Sequence, residues 1–134
     1  MKTKWLDRSL LRGGYLMLVT TQAEYKRALK DMNVEASDRF VTPGSYATTH
    51  TLNNNKGELA FIVGVDLERM KDFDSIALAA LLVHEAVHVW QGTEREAGAM
   101  GCFGPEGEAY AVQNISSELM HACAKRLTLK FDSV

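Results

Sequence analysis

The alternation of hydrophobic and polar positions along the chain predicts six secondary elements. Gly14 to Thr20, read as Gly-Tyr-Leu-Met-Leu-Val-Thr, has the composition of a strand. Thr21, followed three residues later by Glu24, forms a capping box that opens a helix reaching about Asn33. Arg39-Phe40-Val41 reads as a short extended stretch. Two further strands come next: Tyr46 to Leu52, rich in threonine, and Glu58 to Val65, rich in apolar residues. Asn53-Asn54-Asn55-Lys56-Gly57 between them is a hairpin turn, so the pair is antiparallel. From Ile76 to Val83 every residue is apolar, and Asp74 or Ser75 caps this segment as a helix running to about Gln91. Pro105 starts a last helix, to about Leu127, in which Val112, Ile115, Leu119 and Ala122 form one apolar stripe. The order is β-α-β-β-α-α, an α+β fold whose small mixed or antiparallel sheet packs on the helix of residues 74–91.

Composition narrows the class without naming an activity. With 134 residues, 46% hydrophobic and 24% charged, there is material for one core, and residues 1–134 read as a single domain. The formal net charge of −2 gives no electrostatic case for nucleic acid or for an anionic membrane. No stretch is long enough to span a bilayer, and Asp7, Arg8 and Arg12 interrupt anything resembling a secretory leader. The two cysteines, Cys102 and Cys123, suit a reduced, cytoplasmic protein better than a disulfide framework. Five of the ten glycines, at 92, 98, 101, 104 and 107, fall between the last two helices, as a mobile rim of a cleft or as a plain flexible connector.

The chemistry is concentrated in His84-Glu85-Ala86-Val87-His88. Four residues apart on a helix, two imidazoles lie on one face and can grip one ion. A carboxylate one step round reaches that ion less comfortably, but it can take a proton from a water placed there. Because the apolar run leads into the motif and Val87, Val89 and Trp90 follow, the histidines are expected on a buried helix, where a metal would satisfy both. Catalytic zinc generally keeps three protein ligands and one open position. Glu108 heads the apolar stripe of the last helix and so points to the core. Glu106 lies about 200° round the same helix, directly after Pro105, where a carboxylate offsets the macrodipole. Cys102, in a loop, reads as a small thiol.

His88 is followed twenty positions later by Glu108, in Gly107-Glu108-Ala109-Tyr110-Ala111, and this spacing resembles the gluzincin metallopeptidases of the thermolysin type. The resemblance covers residues 84–111 and is specific only at the ligand positions. It implies a minimal zincin domain with Zn2+ held by His84, His88 and Glu108, Glu85 as general base, and a peptide or protein as substrate. His88-Val89-Trp90-Gln91 also resembles short domains that carry a glutamine after the motif. Where the thermolysin-like pattern has an aspartate orienting a zinc histidine, this chain has Val112, so another acceptor must do that work. The resemblance also implies an exposed edge strand before the metal helix that binds peptide by strand addition, and the 46–65 hairpin is the candidate. Tyr46, His50, Tyr110 and His121 all qualify chemically as oxyanion stabilisers, although helix phase sets Tyr110 and His121 off the face of Glu108. Against the hydrolase stands a second class, a non-catalytic, metal-stabilised binding or assembly module on the same fold.

Overall fold

The computed structural model describes residues 5–6, 14–36, 38–97 and 104–132. Its elements follow the order read from the sequence: β1 (Tyr15–Val19), α1 (Gln22–Asp31), β2 (Ala47–Asn53), β3 (Leu59–Val65), α2 (Ser75–Ala97) and α3 (Gly104–Asp132). The sheet is mixed, with β3 in the centre, parallel to β1 and antiparallel to β2. Strand period then sorts the side chains. Leu16, Leu18, Phe61, Val63, Val65 and Ala47 meet Leu82, Ala86, Val89 and Trp90 of α2 and Ile115 and Leu119 of α3. Met17, Val19, Ala60 and Ile62 face the other way, onto Tyr25, Ala28 and Leu29 of α1. The result is three layers with helix on both faces of the sheet. No helix among the described residues is long and apolar enough to cross a membrane.

Local chemistry explains the element ends. Thr21 caps α1, accepting from the backbone N–H of Glu24 at 3.1 Å, but the returning carboxylate bonds the N–H and hydroxyl of Thr20 rather than Thr21. In the hairpin, Asn54 accepts at its side-chain oxygen from the N–H groups of Lys56 and Glu58, and Gly57 takes the positive φ of 77°. Residues 39–41 form no strand. The Phe40 N–H donates to the side-chain oxygen of Gln22, and its carbonyl oxygen accepts from His50, so side chains hold this segment against the sheet. It passes so close that a Cβ at Gly64 would stand 1.9 Å from the Phe40 oxygen. Asp74 caps α2 through the N–H of Ala77. That helix runs past Gln91 to Ala97, because Gly92 serves as a close contact and not as a stop: a Cβ there would meet the Phe61 ring at 2.6 Å.

Candidate functional site

The apolar face of α2 is formed by Leu82, Ala86, Val89 and Trp90, all buried. His84 and His88 lie on the opposite side of the helix, and both are exposed. This corrects the expectation of a buried pair: only one side of α2 is covered by sheet and α3, so the apolar run before the motif leaves Ile76 79% exposed. Their common site is nevertheless specific. The two Nε2 atoms face each other at 3.1 Å. Two nitrogens bound to one tetrahedral ion at about 2.1 Å would stand about 3.4 Å apart, so the pair fits a shared ion with little rearrangement. The Nδ1 of His88 lies 3.1 Å from the side-chain oxygen of Gln91. That oxygen can only accept, so Nδ1 carries the proton and the Nε2 lone pair is left for a ligand.

Glu85 is 4% exposed, on the flank of α2 that faces β2. The Thr49 hydroxyl donates to its Oε1 at 2.7 Å. Inward-facing alternation of Ala47, Thr49 and Thr51 puts that hydroxyl there, and the tight approach at Gly92 brings helix and strand within its reach. His84, Glu85, His88, Gln91 and Arg95 then line a cavity of about 370 Å3 with Thr42, Ser45, Thr48, Thr49 and Thr51. A second cavity of about 470 Å3 shares His84, Glu85, Ser45 and Ala47 and continues between Tyr46, Phe73, Ala77, Ala80 and Leu81. Tyr46 and Phe73 meet edge to face at 4.9 Å. The Arg69 guanidinium lies over the Tyr46 ring at 4.7 Å and donates to the Ser45 oxygen at 3.0 Å, which fixes that wall. Together the two cavities make one trough along the edge strand β2, polar at one end and apolar at the other.

Glu108 stands apart from this trough. It faces α2, but it is exposed and not a core residue. Its Oε2 accepts a long bond, 3.4 Å, from the indole of Trp90, which lies about 160° round α2 from His88. It lines a different cavity, between α2 and α3, with Val83, Val87 and Val112. Among the described residues, no group of three or more His, Cys, Asp or Glu side chains could hold a metal ion. The residues present therefore fit a metal at two of the three ligand positions. Glu106 is exposed in the first turn of α3, as its macrodipole role requires, while Cys102, Gly98 and Gly101 lie outside the described residues.

Of the four candidate oxyanion stabilisers, Tyr46 alone lines the trough. His50 is on the other face of the sheet, and Tyr110 and His121 stand exposed on α3. Sequence reasoning missed Thr49, Arg95 and the orienting role of Gln91. Arg95 was legible in principle, because 84, 88, 91 and 95 form one helical stripe; Thr49 was not, since it depends on which strand edge meets α2. Comparison of the chain with protein-family models, curated proteins and solved structures finds no match.

Proposed function

We propose that this chain hydrolyses peptide bonds with a zinc ion held by His84 and His88, and that Glu85 is its general base. The observation that carries the reading is the facing imidazole pair at 3.1 Å with a buried carboxylate lining the same cavity. A bound zinc would polarise the peptide carbonyl and acidify a water. Thr49 holds the Glu85 carboxylate by one oxygen, leaving the other to accept a proton from the attacking water and pass it to the leaving amine. Gln91 keeps the His88 ring in its orientation. The edge of β2 offers backbone groups to an extended substrate, which makes recognition tolerant of sequence. Only the spacing after His88 speaks for Glu108 as a third ligand, since its carboxylate faces the cavity between α2 and α3. The thiol of Cys123 is buried and makes no disulfide among the described residues, and we place the protein in a reducing, cytoplasmic setting.

One observation favours a second reading, a metal-stabilised binding or assembly module: the carboxylate of Glu108 is turned to Trp90 and away from the histidines. Substitution of Glu85 by Gln separates the two readings, because the amide keeps the hydrogen bond from Thr49 but cannot take a proton. Digestion of an unfolded protein, followed by mass spectrometry, should show cleavage by wild type and a loss of roughly a hundredfold in Glu85→Gln with zinc content unchanged. Stoichiometric zinc without any cleavage by wild type would establish the module. Equal cleavage by both proteins would assign the hydrolysis to another base.

A further inference from the structure

The trough has a chemical direction. At the N-terminal end of α2 its walls are aromatic and aliphatic, and at the C-terminal end they are hydroxyls, an amide and one guanidinium. Arg95 is the only cationic side chain among the described residues lining either cavity, and Glu85 is the only anionic one. Arg95 continues the stripe of His84, His88 and Gln91, seven residues and about 10.5 Å along the axis beyond His88. Side chains on a helix lean toward its N-terminus, so the guanidinium is carried back toward the imidazoles. Its ion pair is with the adjacent Glu96, 4.0 Å away, between side chains 66% and 42% exposed, an arrangement worth little. A cation in the last turn of α2 offsets the helix dipole from any side of the helix. That leaves its alignment with the histidines, on the wall facing Thr42, Thr48 and Thr51, without a structural purpose.

We infer that Arg95 and the hydroxyl wall of β2 form a carboxylate-binding subsite, which selects peptides carrying a carboxylate one to three residues from the group that faces His84 and His88. The inference rests on the proposed seating of an extended peptide in the trough. Guanidinium and carboxylate can pair through two parallel N–H bonds, and the hydroxyls of Thr42 and Thr51 can donate to the same oxygens, while those of Thr48 and Thr49 already donate to Thr42 and Glu85. The carboxylate is either an acidic side chain or the C-terminus of the substrate. With Arg95 at one end and the apolar cavity at the other, a C-terminal carboxylate on Arg95 would fix the chain direction of the bound peptide.

The test measures binding rather than turnover. Full-length Glu85→Gln protein would be titrated with fluorescein-labelled hexapeptides of one sequence in four forms: aspartate or asparagine three residues from the C-terminus, each with a free or an amidated end. The carboxylate form that matches the subsite should bind about tenfold tighter than its neutral counterpart, and the pair that shows the difference identifies the source. Adding Arg95→Gln should abolish the difference, Arg95→Lys should keep part of it, and raised salt should shrink it. Arg95 is exposed, so these variants should melt like the parent. Equal binding of all four peptides, no binding of any, or discrimination that survives Arg95→Gln would each overturn the subsite. Discrimination by a protein whose wild type cleaves nothing would sink the hydrolase and leave the subsite standing.

Discussion

Two settings of histidine, one on each side of this fold, show how the same ring serves different ends. His50 is buried between β2 and α1, and every polar atom of its ring is engaged. Its Nε2 meets the Phe40 carbonyl oxygen at 2.9 Å, and its Nδ1 lies 3.1 Å from Asp38 Oδ2 and 3.2 Å from the Tyr25 hydroxyl. Tyr25 stacks on it at 4.5 Å and donates to the second oxygen of Asp38. Burial first, then the bond and charge of Asp38, hold that phenol protonated well above its ordinary range. His84 and His88 have one such anchor between them, Gln91, and otherwise face each other across an open cavity. An imidazole whose partners are all supplied by the protein fixes a loop. A pair whose lone pairs converge on a solvent-open space is the one left for a ligand.

The largest effect expected from this contrast is on zinc. His84→Ala and His88→Ala should each lower zinc affinity by more than about a hundredfold, beyond what removal of a mere orienting partner does, whereas His50→Ala should leave it unchanged. Metal analysis after dialysis against a graded chelator reads this directly. Zinc retained in His88→Ala, or lost in His50→Ala, would reverse the assignment of the two settings.

Stability should show the opposite ranking. His50→Ala leaves the Phe40 carbonyl without its donor, removes one of the two partners of Asp38 and opens a cavity beside Tyr25, a cost of about 2–3 kcal/mol. Urea denaturation should find that loss, while His84→Ala, at an exposed position, should stay within about 0.5 kcal/mol of wild type in metal-free buffer. Equal losses in the two variants would mean that the α2 pair is itself structural.

Gln91→Leu comes next in size. It removes the acceptor that fixes the His88 tautomer without touching a ligand, so zinc affinity should fall about tenfold. Isothermal titration would see that change. An unchanged affinity would show that solvent replaces the amide oxygen at no cost.

How much of this was legible beforehand follows from which contacts are local. The hairpin at 53–57, the cap at Thr21 and the apolar stripe around Ile115 and Leu119 depend on neighbours within a turn or two, and all are present. Gly92 lies inside α2 and not in a connection: local rules treat glycine as a break, while its reason is the Phe61 ring across the core. Helix phase gives Glu108 its direction but not its burial, and the residue is exposed. Phase says where a side chain points but not whether a second layer covers it, and here the groove between α2 and α3 lies open. His50 carried no sequence mark separating it from His84: only the packing of residues 38–42 over β2 makes it structural.

The smallest effect tests a tie on the α1 side that no histidine enters. Glu24 closes the cap of α1 and pairs with Arg126 of α3, which also donates to Thr20 at 3.3 Å. Burial alone would raise the Glu24 carboxyl, but the bonds from Arg126 and Thr20 and the charge of Arg126 outweigh it and hold the group below its ordinary 4.5. A carboxyl depressed in the folded state stabilises above its unfolded value, and that contribution is lost as the pH falls through the folded one. Arg126→Gln should therefore cost about 0.5–1 kcal/mol near neutral pH, the range of part-exposed ion pairs. In urea melts the cost should shrink toward zero as the pH falls through the depressed folded value and below it, where the carboxylate of either protein takes up its proton. A penalty that stays the same across this range would assign the contribution of Arg126 to the packing of its stem rather than to its charge.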